Sequence, residues 1–462
     1  MVIDSRYYTH DEDRDALSTL KAIPGVPQLV KAVAKVFTDR MWQIENMSQK
    51  VRISEKQLPK YYEMLPPICE KLGIDIPELY LELDVNANAY TSGINRPFIV
   101  ITSGLIETLP EHLIPVVLAH ECGHIACEHV LYSTVGRLLL KGYLTSLAEL
   151  GVSRELLAIV NASLALSFQK WSRCSELSAD RAAALCCGSS DNLVEMCLRF
   201  AGFDKDIAEE ANIEAFLGQA EEYKTLIRES KVNKALEFIL YGFESHPLNA
   251  VRAAEINEWG KTDRFKKMVD LLGIAGESDV AAVAAYLKEA PMPEDAKSYI
   301  GANVEDVTAA LTALGFTNVS TLKITEKGTL TKPGQVLNVR AQGKDGFRLG
   351  DWFATDADIL IEYYEPETEE EIAAAHPGQL RIPNSTKYYL TKTYTEVVAE
   401  LTAAGFTKIT TEKHVKAKKG LFKKEGIVAR ISVGGQTQFE KSEWFAEKTQ
   451  IHIIYHSFTN ED

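Results

Sequence analysis

The feature that most constrains this chain is an internal duplication in its last third. Leu311-Thr312-Ala313-Leu314-Gly315-Phe316-Thr317 recurs as Leu401-Thr402-Ala403-Ala404-Gly405-Phe406-Thr407, and Asp351-Trp352-Phe353-Ala354 recurs as Glu443-Trp444-Phe445-Ala446. Gly334, Gly343 and Phe347 match Gly426, Gly435 and Phe439 in the same order. Such a tail folds twice into one small unit. Each copy reads as a helix followed by about three strands, so two α+β repeats are expected over 296–365 and 384–458. The acidic, proline-bearing stretch 366–383 between them reads as a solvated linker. Residues 1–290 then form a separate domain.

That first region reads as mainly helical. Helix-compatible periodicity covers Asp15 to Leu20, Gln28 to Met41, Pro59 to Leu72, Glu111 to Ser133 and Arg154 to Cys187. Leu81 to Thr102 differs: a polar stretch, Asn88 to Gly93, precedes the apolar run Pro97-Phe98-Ile99-Val100-Ile101-Thr102. This predicts a hairpin whose second strand is buried.

Composition narrows the partners. Among 462 residues the net charge is -15, which argues against nucleic acid, because phosphate binding needs a basic surface. Lys413 to Lys424 is locally basic and reads as a solvated loop. All seven cysteines fall between Cys69 and Cys197, an odd count with two adjacent, so reduced thiols and a cytoplasmic location are expected. The N-terminus lacks the pattern of a signal peptide. No run reaches ~18 apolar residues, so no transmembrane helix is expected.

The chemistry concentrates in Leu118-Ala119-His120-Glu121-Cys122-Gly123-His124. On a helix, residues four apart lie about 40° apart on one face and roughly 6 Å along the axis. His120 and His124 can therefore converge on one tetrahedral ion, and Glu121, about 100° round the helix, can reach a water beside it. Thr108 to Glu111 reads as a capping box, Pro115 should bend the helix before the motif, and Gly123 suits close packing. Catalytic zinc needs a third ligand. His129 falls nine residues after His120 where an extended three-histidine motif needs ten, so it reads as a helix-surface or packing residue. Glu176 is the better candidate, with Asp180 one turn later able to accept the free N–H of a ligand histidine. The alternative for that pair is an ordinary solvated acidic face.

Taken together, His120 to His124, Glu176 to Asp180, and Ser245-His246-Pro247 followed by Arg252 resemble peptidase family M48, the gluzincin metalloproteases. The segment Asn88 to Leu105 resembles that family's edge strand and the strand leading into its motif helix. The resemblance implies a gluzincin peptidase domain, mainly α with a small β-sheet. It implies one Zn2+ held by His120, His124 and Glu176, with Glu121 as general base. His246 would stabilise the oxyanion or block the site, and Arg252 and Asp180 would orient it. Asn88, Ala89, Tyr90 and Thr91 would pair with an extended protein or peptide substrate. The tail resembles PASTA modules and is expected to bind a protein partner. The expected function is zinc-dependent endopeptidase activity on protein, including unfolded or misfolded protein. The alternative is a latent or inactive peptidase-derived binding protein acting through its repeats.

Overall fold

Four short strands within residues 51–102 build one sheet in the computed structural model, and they place the site. The structure describes residues 2–36, 39–140, 144–149, 151–160, 162–202, 210–230, 233, 248–273, 280–326, 332–416 and 424–458. Strands β1 (Val51–Ile53), β2 (Glu78–Glu82), β3 (Ala89–Ser92) and β4 (Phe98–Thr102) lie in the order β1-β2-β4-β3. β4 runs parallel to β2, with Leu79 opposite Ile99, and antiparallel to β3, with Tyr90 opposite Val100. The expected hairpin is therefore present. All five residues of β4 are buried, because it is interior and covered on both faces. Alternation divides the two covers. Leu79, Ile99 and Ile101 join the main core with Val116, Leu118 and Ala119, whereas Tyr80, Phe98 and Val100 form a separate cluster with Trp42 and Tyr90.

The motif helix, Ile114–Ala126, packs against β3 of the sheet. It also packs on the long helix Ala162–Cys187. Gly123 sets their approach: a Cβ there would stand 2.8 Å from Ala182 Cβ and 3.0 Å from Ala179 Cα. The N-terminal helix, Asp11–Ala22, lies against the long helix, as does Asn249–Gly260.

Three local expectations are corrected. Pro115 does not bend the motif helix, because it sits in the first turn, where its missing N–H forfeits no helical bond. Thr108 ends the preceding helix, Ser103–Thr108, so Thr108 to Glu111 is not a capping box. The segment Glu111 to Ser133 is not one helix. It is a 3-10 turn at Glu111–Leu113, the motif helix, and a second helix His129–Leu140. The break falls at Glu128, whose φ of 59° is left-handed, a conformation uncommon for a residue with a Cβ.

In the first repeat the helix Val304–Ala313 accompanies a sheet ordered Val319–Ile324, Ile359–Tyr364, Gln335–Ala341, Lys344–Asp345. In the second, Tyr394–Ala403 accompanies Ile409–Lys416, Ile451–Phe458 and Val428–Val433. Matched glycines take matched turns: φ is 79° at Gly334 and 78° at Gly426. Both copies begin earlier than 296 and 384. The strand Glu289–Pro291 pairs with Trp352–Ala354, and Gln379–Arg381 pairs with Trp444–Ala446. Three-residue strands carry too little periodicity to be read from sequence. The stretch 366–383 is accordingly more than a linker: it holds this strand and a helix, Glu369–Ala374, opened by a capping box from Thr368 to Glu371. By contact density the chain divides into residues 1–322 with 334–363, and residues 323–333 with 364–462. Most of the lysine-rich stretch, 417–423, lies outside the described residues.

Candidate metal centre

The site begins with the motif helix, which turns His120, Glu121 and Gly123 inward, while His124 stays partly open. The long helix brings Glu176 opposite. Nε2 of His120 lies 3.3 Å from Oε2 of Glu176, and Nε2 of His124 lies 3.4 Å from Oε1. Among the described residues these three form the group able to hold a metal, with one donor atom from each, all within 4.8 Å of one another.

Around them is a buried charged shell. Asp180, one turn beyond Glu176, takes His120 Nδ1 at 2.9 Å. Arg252 donates Nε to Asp180 Oδ2 at 2.9 Å and Nη2 to Oδ1 at 2.7 Å, while its Nη1 stands 3.5 Å from Glu176. Burial pushes the Asp180 carboxyl up, but Arg252 outweighs it and holds the pKa near 2, lowered to about 2. Burial likewise opposes charge on His120, and Asp180 with Glu176 overcomes it, raising the pKa to about 10 in the absence of a metal. His124 has weaker support, and burial lowers it. Glu176 and Asp180 are thus no solvated face: they are 2% and 1% exposed.

Glu121 is held from the sheet. Thr91 Oγ1 lies 2.5 Å from Glu121 Oε2 and 3.2 Å from its backbone carbonyl. β3 is an edge strand, and its polar groups alternate in direction. The Asn88 carbonyl accepts from Thr102 N, which turns the backbone groups of Ala89 and Thr91 away from β4. The Thr91 carbonyl is already taken by Arg137 Nη2 at 2.7 Å. Burial pulls the Arg137 pKa down. Beside this edge lies a cavity of about 260 Å³, whose walls include Ala89, Val117, His120, Glu121, Met196 and Arg252. A smaller one of about 120 Å³ lies toward Tyr90, His124, Tyr132, Arg137 and Trp171.

The structure thus brings together His120, Glu121, His124, Glu176, Asp180, Arg252, Ala89 and Thr91. Asn88 is exposed and Tyr90 half-buried on the same edge. Ser245, His246 and Pro247 lie outside the described residues. His129 is not on the helix surface: it is 1% exposed, with Nδ1 3.0 Å from His124 Nδ1 and Nε2 2.8 Å from Asp13. On an unbroken helix, residues five apart diverge by about 140°; the turn at Glu128 brings these two rings together. Asp13 and Arg137 carried no sequence signal, since neither belongs to a spaced motif.

Comparison with known proteins gives this site its class, a metallopeptidase. The sequence model of peptidase family M48 matches residues 65–260. The plastoglobule-localized metallopeptidase 48, chloroplastic, of Arabidopsis thaliana is 32% identical over 269 residues, which is 58% of this chain and 76% of that protein. The chain belongs to peptidase family M48. A protease HtpX homolog of Paraburkholderia phytofirmans is 25% identical over 249 residues, 50% of this chain and 84% of its own length. The crystal structure of S. mikatae Ste24p overlaps 52% of this chain and 64% of that one, less than two thirds of its length, at 18% identity and a TM-score of 0.27. Among the described residues no helix is long and apolar enough to cross a membrane.

Proposed function

We propose that the chain is a zinc-dependent endopeptidase, with Zn2+ held by His120, His124 and Glu176 and with Glu121 as general base. The observation that carries this reading is the meeting of three donor side chains from two helices, with Glu121 beside them. The donor set suits zinc, being two imidazoles and one carboxylate. The separations suit it as well: ligand atoms around a tetrahedral ion at ~2.05 Å stand about 3.3 Å apart, against 3.3 and 3.4 Å here. The charge also fits, because Glu121, Glu176 and Asp180 outnumber the guanidinium of Arg252 in a dry setting that favours neutralised charge.

Zinc in such a site supplies a Lewis acid that makes water acidic near neutral pH and polarises a carbonyl. The protein's part follows from its geometry. Glu121 takes a proton from a water in the cleft and returns it to the leaving nitrogen. Thr91 holds the carboxylate of Glu121 in place. Asp180 fixes the ring of His120, and Arg252 anchors Asp180. An extended substrate adds to the free edge of β3 at the backbone of Ala89, which favours unfolded segments of protein. His246, by family resemblance, acts on the oxyanion or restrains the site. The PASTA-like tail is read as a partner-binding pair. All seven cysteines are free thiols, which supports a reducing compartment such as the cytoplasm.

The test is cleavage of casein by the wild type and by Glu121→Gln, with zinc measured in both. Cleavage should be lost in the variant while zinc is kept. Glu176→Gln should weaken zinc retention in a folded chain. Equal cleavage by wild type and Glu121→Gln, or a wild type that binds no zinc, overturns the reading and leaves the latent binding protein.

A further inference from the structure

We infer that Asp13, from the N-terminal helix outside the matched family region, is a positioning residue that sets the tautomer of His124 through His129. The inference rests on the zinc reading above, and its test separates the two.

Asp13 is 1% exposed, and its carboxylate is fully engaged. Oδ1 accepts from Trp171 Nε1 at 3.0 Å. Oδ2 accepts from Ser178 Oγ at 2.6 Å and faces His129 Nε2 at 2.8 Å. Ser178 lies on the long helix between Glu176 and Asp180, so Asp13 is locked to the element that carries the carboxylates. An ionised carboxylate only accepts, and a neutral imidazole has one donor and one acceptor nitrogen. For a neutral His129 the proton then sits on Nε2, which leaves a lone pair on Nδ1. That lone pair faces His124 Nδ1 at 3.0 Å. Two nitrogens at this distance share one proton, so His124 carries it on Nδ1. The consequence is a lone pair on His124 Nε2, the atom turned toward Glu176. The order is thus His124 Nδ1–H to His129 Nδ1, then His129 Nε2–H to Asp13.

The two ligand histidines are therefore oriented differently. Asp180 acts on His120 directly. Among the described residues the partner of His124 Nδ1 is His129 rather than a carboxylate, and His129 extends the reach of Asp13 to it. Outer-shell partners of this kind hold ring orientation and ligand basicity.

The test uses the full chain. Zinc affinity is measured by chelator competition for wild type, Asp13→Asn, His129→Leu and His129→Gln, with melting temperatures of the metal-free proteins. Asp13→Asn and His129→Leu should bind zinc about 10–100-fold more weakly. His129→Gln should stay close to wild type, because its amide oxygen still accepts from His124 Nδ1. Long-range proton–nitrogen NMR of metal-free protein should show His124 protonated on Nδ1 in wild type, and a mixture of tautomers in Asp13→Asn. A structural role alone would not produce the split between leucine and glutamine, nor the change in tautomer. Wild-type affinity and an unchanged His124 tautomer in Asp13→Asn overturn the inference. If that variant does not fold, equal zinc binding by the leucine and glutamine variants does so. A wild type that binds no zinc overturns the metal reading instead, and the tautomer still reports on the relay.

Discussion

Thr91 Oγ1 lies 2.5 Å from Oε2 of Glu121, so a hydroxyl from an edge strand holds the carboxylate of the motif helix. A hydrogen bond to an ionised acceptor is among the stronger ones. Thr91→Val keeps the shape of the side chain and removes the donor. The expected result is a fall in kcat for peptide cleavage of about 10–100-fold, a fraction of the roughly 10²–10⁴-fold that general acid–base catalysis contributes in full. Zinc content should not change. The check is steady-state cleavage alongside metal analysis, and an unchanged kcat would show that Glu121 needs no such restraint.

Gly123 governs the gap between the two ligand-bearing helices. Gly123→Ala puts a methyl group 2.8 Å from Ala182 Cβ, so the helices must separate. Overpacking of this kind costs about 1–3 kcal/mol, and Glu176 should move away from His120 and His124. Both melting temperature and zinc affinity should drop. Gly218→Ala is the control, because that exposed helical glycine has nothing within 4 Å of an added Cβ. It should raise stability by up to about 1 kcal/mol. Equal stability of the two variants would contradict the close-approach argument.

His10 provides a pH dependence away from the metal ligands. Burial, aided by Arg181, lowers its pKa from 6.5 to about 4, and its Nδ1 accepts from Glu12 N at the start of the N-terminal helix. Between these values the unfolded chain takes up a proton that the folded chain refuses. The stability contribution is complete above pH 6.5 and is lost as pH falls toward 4. His10→Asn keeps a capping acceptor without titrating. Denaturant unfolding at pH 7 and pH 5 should show a smaller loss for the variant, by on the order of 1 kcal/mol once solvent screening is allowed for. Identical losses would mean that His10 is not the group responsible.

Much of the site was legible because it is encoded locally. Four-residue spacing alone puts His120 and His124 on one helical face, whatever the rest of the fold does. The unbroken apolar run of β4 announced a strand covered on both faces. The repeated blocks around Phe316 and Phe406 announced one unit used twice. Where local signals misled, a neighbouring element changed their meaning. Pro115 reads as a kink inside a helix but is harmless at its first turn. Thr108 closes one helix rather than opening the next.

The sequence by itself therefore determined the motif helix, the buried strand and the duplication, since each depends on the order and spacing of nearby residues. Tertiary structure alone decided that Glu176 faces the two histidines, through the close contact of Gly123 with Ala179 and Ala182. It also decided that His129 turns onto His124, through a left-handed residue, Glu128, whose side chain gives no warning of that conformation. And it brought Asp13 to His129 across 116 residues, because pairing over such a distance is set by how helices pack, and no spacing along the chain records it.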